Sequence, residues 1–398
     1  MSFARPLAIL GATVLICGGV LPALGQSSQE ALVDRWLEAL ENSDKISITY
    51  SGKRYNIASD AVVISDLEMT RAAEPENTAR IGSLSLSGVT EDADGMLKAA
   101  NFAADAITID DTDTHITIET TLLRDVELHD PDADGSEEGA PFGKPHHIEL
   151  NAITITTEDT PAPIPVKSLL VDLEDFENDI PTHMAIEVAD IEVGIENIEE
   201  AEPREMFKAM GYDMLKMGMK GDLNWKPDAG TASLESFEIS FADMGALRLS
   251  GVFGGIPAEA LEKATELGNS AGGTDGQPMP PGGELLETLT VDSLTLSFTN
   301  HSIVERLLEQ QAKQMGIKAY DLKLQVQGVL PQMLVALQNQ AFQDDVTDAV
   351  RTFLDDPQTL VVTARPEQPV LVAQAFGMAL MAPQQLIPML ALGIFANQ

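Results

Sequence analysis

The chain has 398 residues and a formal net charge of −39, with 63 acidic residues against 24 basic ones. Nucleic-acid binding depends on neutralising phosphate with Lys and Arg, so nucleic acid is excluded as a partner. The one cysteine, Cys17, lies in an N-terminal apolar segment. The rest of the chain therefore offers no disulfide, thiolate metal site or cysteine nucleophile.

Residues 1–25 have the features of a cleavable signal peptide. Arg5 supplies the positive end, residues 7–20 form the apolar core, and a small-x-small cleavage site ends at Gly25. The alternative is an uncleaved anchor, but this apolar run is short of the ~20 residues that a membrane-spanning helix needs. We therefore expect a periplasmic protein that is exported through this peptide.

Residues 26–45 carry a predicted amphipathic helix, because Leu32, Trp36 and Leu40 recur every four residues and Ser28 can cap its start. From residue 46 to residue 268, period-2 runs rich in Ile, Val and Thr replace the helical spacing. Short strands without helices between them indicate a curved antiparallel sheet rather than βαβ units. A helix or irregular turn at 203–218 is the main interruption.

The clearest linker is the Gly- and Pro-rich segment 269–283. Residues 284–398 are predicted to form a strand–helix–strand unit, with Tyr320–Val326 as its second strand, and then a mostly helical region that begins at Pro331. A final apolar strand is predicted at Met389–Phe395. The expected fold class is mainly β with α (α+β): an extended or curved antiparallel sheet with a helical C-terminal cap.

One short phrase, apolar-x-polar-apolar-x-apolar, recurs five times in the strand regions. Its copies begin at Ile64, Ile81, Val166, Leu234 and Val291. A step of three between apolar positions reverses the apolar face of a regular strand, so the chain must bulge, bend or pass to another packing surface there. The uneven spacing of the copies argues against a solenoid with a fixed period.

Two architectures fit these copies. A long curved sheet would line its concave face with the second half of each phrase, whereas two sandwich domains would bury the same residues in filled cores. On the first interpretation, the candidate contacts for an apolar ligand are Leu84, Leu86, Leu169, Val171, Phe237, Ile239, Phe241, Leu294, Leu296 and Phe298.

The phrases Ile81–Leu86, Leu234–Phe241 and Val291–Phe298, in an acidic β-rich chain with an N-terminal apolar segment, resemble the strands of AsmA-like and YdgA-like bacterial envelope proteins. The resemblance lies in the general residue pattern of the strands rather than in a diagnostic motif, and it covers roughly residues 46–330. It implies lipid handling through a groove between curved sheets. The short chain, the cleavable segment and the helical C-terminal region depart from that pattern and count against a bridge between two membranes.

Residues that could carry catalysis form no recognisable pattern. The chain has no G-x-S-x-G elbow, and no catalytic residue is assigned. His146 and His147 are adjacent on a predicted strand and face opposite sides, so we expect surface histidines rather than a shared metal site. Aromatic residues make up only 5% of the chain, which leaves few platforms for stacking carbohydrate.

One acidic loop resembles a metal site. Asp130, Asp132 and Asp134 match the opening of an EF-hand calcium loop, but Pro141 occupies the position of the bidentate Glu. The loop is therefore either a weak calcium site or a solvated acidic segment. No other cofactor is expected.

The C-terminal segment from Gln368 to Gln398 has no charged residue. Pro383 and Pro388 interrupt it well short of the ~20 residues of a membrane span. It is predicted to form a buried cap helix and a closing strand, or to make peripheral membrane contact through residues 370–395.

These observations favour a non-enzymatic periplasmic envelope protein that shelters lipid acyl chains in an apolar groove of a curved sheet. One alternative is a periplasmic scaffold or adaptor that binds an envelope protein partner. The second alternative is an uncharacterised hydrolase.

Overall fold

The computed structural model describes residues 28–44, 46–71, 74–93, 95–128, 142–143, 145–177, 180–258 and 288–398. The predicted signal peptide at 1–25, the linker at 269–283 and the calcium candidates Asp130, Asp132 and Asp134 lie outside these residues. The chain divides into two compact units. Unit 1 comprises residues up to Leu173 and Glu187–Glu199, and unit 2 comprises Glu174–Ile186 and Glu200–Gln398.

In the residues that the structure describes, unit 1 combines one α-helix with an antiparallel sheet. The helix is α1 (Ser28–Asp44), and the strands are β1 (Ile46–Thr49), β2 (Gly52–Asn56), β3 (Ala61–Arg71), β4 (Glu74–Ser87), β5 (Thr90–Glu91), β6 (Leu97–Asp111), β7 (Thr114–Leu128), β8 (Phe142–Gly143), β9 (His147–Thr157) and parts of β10 (Ile164–Glu177) and β11 (Ile180–Gly194). Strands β1 and β2 both pair with β3, and the order continues through β4, β6, β7 and β9 to β10.

The core of unit 1 is closed by α1. The predicted helical stripe is confirmed, because Trp36 and Leu40 are buried together with Val33 and Leu37. These side chains belong to one cluster with buried residues of β3, β4, β6, β7 and β9. Burial of an amphipathic helix face against a sheet removes the apolar surface of both from water.

The three copies of the phrase in unit 1 align in one row across the sheet. Each pair of neighbouring strands keeps the same register before and after this row. The row consists of Asp66, Gly82, Ala106, Glu119, Ala152 and Lys167. We call these residues the kink line. Positive φ angles of 51°, 53° and 51° occur at Asp66, Ala106 and Ala152, on every second strand of the row.

The kink line explains how a step of three keeps one face apolar. Ile64 and Leu67 of β3 lie on either side of Asp66, and both are buried. Ile81 and Leu84 flank Gly82 in the same way. The local kink rotates the chain so that both apolar residues face the core, as expected for a bulge-like distortion.

Unit 2 contains the rest of β10 and β11 and the α-helices and strands that the structure describes after residue 200. They are α2 (Ala201–Ala209), β12 (Met214–Lys226), β13 (Thr231–Phe241), β14 (Gly245–Gly254), β15 (Thr290–Asn300), α3 (Ile303–Met315), α4 (Ala319–Leu334), α5 (Gln340–Asp355), β16 (Thr359–Ala364), β17 (Val370–Leu371), α6 (Val372–Met381), α7 (Pro383–Leu390) and β18 (Gly393–Ala396). Strands β12, β13, β14, β15, β16 and β18 pair in that order, all antiparallel, and β17 also pairs with β15.

Several C-terminal elements differ from the sequence predictions. The strand predicted at Tyr320–Val326 is the first half of α4, because seven residues of alternation cannot be distinguished from one stretch of a helix rich in Leu and Gln. The prediction of a strand at Met389–Phe395 is also wrong for most of these residues. Helix α7 continues to Leu390, and the strand β18 begins only at Gly393. Pro331 lies inside α4 rather than at a helix start.

The fold class is confirmed at the level of both units. Unit 1 is built mainly of antiparallel strands, unit 2 combines antiparallel strands with a similar share of helix, and most of the described helices follow residue 301. The protein is therefore mainly β with α, with a curved antiparallel sheet and a helical C-terminal region. Strands β14 and β15, which flank residues 259–287, pair with each other directly.

Candidate apolar binding face

The sheet of unit 2 carries a continuous apolar face. Residues directly opposite each other in an antiparallel sheet lie on the same face, as do alternate residues of one strand. Two neighbouring rows that cross six strands form this face: Met219, Ile239, Leu247, Phe298, Leu360 and Ala396 in the first, and Gly221, Phe237, Leu249, Leu296, Val362 and Ile394 in the second. We call these two rows the apolar face.

Bulges extend the apolar face beyond these rows. The register of β13 shifts by one residue between Leu234 and Phe237, and that of β15 shifts at Asp292. Each shift inserts one residue, so Leu234 lies opposite Gly251, and Val291 opposite Phe253, on the same face. The predicted bulges at the fourth and fifth copies of the phrase are thus present.

The opposite face of this sheet is mainly polar, although it includes Val361 of β16 and Phe395 of β18. It presents the residues that alternate with the apolar rows, including Glu238, Ser240, Arg248, Thr295, Ser297 and Thr363. A sheet with one apolar and one polar face is the arrangement of an antiparallel layer that faces water on one side.

Helix α5 covers one end of the apolar face. The ring of Phe353 lies edge-on to that of Phe298, with 6.1 Å between centroids, and Phe353 and Ala349 are buried. The middle of the face is open, because Leu247 is 46% exposed and Leu296 is 37% exposed. The other members of the two rows that belong to β12, β13 and β14 are only partly buried.

Two glycines on this face allow close contacts with residues of other strands. A Cβ on Gly251 would lie 2.4 Å from the carbonyl oxygen of Ser293, beside the bulge at Asp292. A Cβ on Gly221 would lie 2.9 Å from Cγ2 of Ile186. Neither position has room for a side chain without movement of its neighbours.

A charged cluster involves Asp222, the residue of β12 that follows Gly221 of the apolar face. The Nδ1 atom of His183 is 3.1 Å from Oε2 of Glu174, and its Nε2 atom is 3.4 Å from Oδ1 of Asp222. The hydrogen bond with Glu174 has the largest effect and raises the pKa of His183. Burial opposes this increase, and Asp222 raises the pKa further. Among the described residues, no group of three or more His, Cys, Asp or Glu side chains could hold a metal ion.

The two histidines at 146 and 147 have different environments. His146 is exposed, as predicted. His147 is largely buried, with Nδ1 2.6 Å from Oδ1 of Asp172, so the prediction of a surface position is wrong for this residue. The reason is the strand register, which places Asp172 directly opposite His147.

The predicted ligand contacts separate into two groups. Leu84 and Leu86 are fully buried in the closed core of unit 1, and Leu169 packs against that core. Val171 is partly buried opposite Ile148. The members in unit 2 lie together: Phe237, Ile239, Leu296 and Phe298 within the two rows, and Phe241 and Leu294 next to them.

Sequence reasoning missed eight of the twelve residues of the apolar face. Leu247 and Leu249 come from β14, and Leu360 and Val362 come from β16, and none of them belongs to a copy of the phrase. Their signal was the plain alternation of both segments, which predicted the strands. It did not predict which strands would be neighbours.

No described helix is long and apolar enough to cross a membrane. A protein-family model with the description "Uncharacterized protein" matches residues 238–397, which is less than half of the chain. The match includes most of the apolar face and all of the C-terminal helices. No curated protein matches the chain.

Proposed function

We propose that this protein is a non-enzymatic envelope protein, exported to the periplasm, that shelters apolar ligands such as lipid acyl chains on the apolar face of unit 2. The observation that carries the proposal is the exposure of Leu247 and Leu296 in the middle of two apolar rows. Water contact with such a surface is unfavourable by about 25 cal/mol per Å², and an acyl chain would remove that contact.

The position of the open surface supports the choice of an extended ligand. The rows follow consecutive strands, from Met219 on β12 to Val362 on β16, so they offer a band rather than a compact pocket. Strands lie about 4.8 Å apart, so four strand intervals span roughly 19 Å. An acyl chain can lie along a band of this length without needing a polar contact in its middle.

Extraction of the purified protein with organic solvent tests the proposal. We expect mass spectrometry to detect phospholipid or fatty acid in near-stoichiometric amounts. Leu296→Gln should lower lipid retention by about tenfold, which corresponds to the loss of about 1.4 kcal/mol of contact. Thr295→Gln is the matched control, because Thr295 is the preceding residue on the polar face, and its lipid content should stay at the wild-type level.

Two results would overturn the proposal: a wild-type protein without bound lipid, or equal losses in both variants. A lipid-free protein that crosslinks to one envelope protein through the apolar face would favour the scaffold or adaptor function instead.

A further inference from the structure

The C-terminal part of unit 2 contains two segments without any charged residue. They are residues 324–343 and 368–398, which together make 20 + 31 = 51 positions. Charged residues make up 22% of the whole chain, so about 11 would be expected there at the average frequency. Neutrality over this length, in a chain with a net charge of −39, sets this region apart.

The fold brings the two neutral segments into contact. Helix α7, from the second segment, packs against the 3-10 turn Val335–Leu337, from the first. Helix α7 also packs against α6. The two segments therefore form one neutral region.

Large apolar side chains project from this region into solvent. Met333, Val335, Phe376, Leu380 and Met381 are between 63% and 87% exposed, and we call these five residues the neutral patch. Phe376 and Leu380 are four residues apart on α6 and so lie on the same side of the helix. Single exposed apolar residues are ordinary, but five in two charge-free segments that α7 brings into contact mark an interaction surface.

We propose that the neutral patch docks on the surface of a lipid bilayer of zwitterionic composition. Apolar side chains on short helices bind membranes by entering the boundary between headgroups and acyl chains, which does not require a spanning helix. A zwitterionic surface has no net charge, so it offers the strongly acidic protein no net attraction or repulsion. The segments that carry the neutral patch contain no charged residue, so they can approach such a surface without desolvating a fixed charge.

Charge also argues against the other occupants. A second copy of this chain would bring a further net charge of −39 to the contact, and the two copies would repel each other. A basic protein partner would find no acidic residue in either neutral segment with which to form an ion pair. The inference goes beyond ligand binding on the apolar face and stands without it.

Vesicle flotation with the full chain tests the inference. We expect the protein to float with pure phosphatidylcholine vesicles and to bind vesicles rich in phosphatidylglycerol more weakly, because like charges repel. Leu380→Glu should lower the bound fraction on phosphatidylcholine by about tenfold or more. Ile57→Glu is the matched control, since Ile57 is 86% exposed in a turn of unit 1, and its binding should equal that of the wild type.

A second measurement locates the contact. With Cys17 replaced by Ser, a cysteine introduced at Met381 or at Ile57 is labelled with an environment-sensitive fluorophore. Phosphatidylcholine vesicles should shift the emission to the blue at position 381 and leave that at position 57 unchanged. The inference is overturned if the wild type does not float, if both Glu variants lose binding equally, or if emission at position 381 does not respond. It is also overturned if sedimentation shows a dimer that Leu380→Glu dissociates.

Discussion

The two units use the same sequence phrase in two different ways. In unit 1 the copies lie on the kink line, where Asp66, Ala106 and Ala152 adopt positive φ and the strand register is kept. In unit 2 the copies insert one residue, and the register shifts at Glu235 and Asp292. Both solutions keep the apolar residues on either side of the step on one face.

What separates the units is the cover over that face. Helix α1 lies on the sheet of unit 1 and buries it with Trp36 and Leu40. In unit 2 the corresponding cover is partial, because α5 reaches Phe298 but leaves Leu247 and Leu296 exposed. The comparison teaches that the phrase determines which face is apolar, whereas the placement of helices determines whether the face becomes a core or a surface.

The largest difference between the two units is expected when one leucine side chain in each is shortened to alanine. Leu84 is fully buried, so Leu84→Ala should lower the free energy of unfolding of unit 1 by about 2–5 kcal/mol. Leu296 is 37% exposed, and Leu296→Ala should cost less than about 1.5 kcal/mol. Denaturant unfolding of both variants gives the two values. Similar losses would show that the face of unit 2 is packed as tightly as the core of unit 1.

A smaller effect is expected from the backbone of the kink line. Asp66 has φ of 51°, and a β-branched residue there should cost about 1–2 kcal/mol. Asp66→Gly loses the same hydrogen bond from the Ser51 hydroxyl without this strain, and it is the control for Asp66→Val. The thermal midpoint of Asp66→Val should lie clearly below that of Asp66→Gly.

The same β-branched substitution can be made in unit 2, at the bulge residue Asp292. Asp292 does not belong to the residues with a positive φ, so Asp292→Val should be milder than Asp66→Val in the same thermal assay. If the two substitutions were equally destabilising, the proposed difference between the kink line and the inserted-residue bulges would be wrong.

The smallest expected effect concerns pH. Contact with Glu174 and Asp222 raises the pKa of His183 above 6.5, so the charged form is stabilised in the folded protein. This contribution to stability is fully present below about pH 6.5 and is lost as the pH rises through the raised pKa. His183→Gln should therefore lower the free energy of unfolding by less than about 1 kcal/mol at pH 6.

The measurement compares the variant with the wild type at pH 6 and pH 9. The difference in unfolding free energy should shrink at the higher pH, because wild-type His183 is then neutral. A difference that grows with pH would contradict the assigned direction of the pKa shift.

The sequence predicted local structure well where one periodicity dominated. Helix α1 follows from Leu32, Trp36 and Leu40, and most strands up to Phe253 follow from alternation. Prediction failed at 320–326 and around 389, where runs of Leu, Val and Met are too short to separate a strand from a helix. The site was predicted in part, since four residues of the apolar face lie in copies of the phrase while the other eight, such as Leu247 and Leu360, do not.

The sequence by itself determined the acidic charge, the alternating strands and the points at which those strands must kink or bulge, because these depend on residues close together in the chain. Only the tertiary structure decided that one apolar face would be filled and the other left open. That outcome depends on where α1 and α5 pack, and packing joins residues that are far apart in sequence.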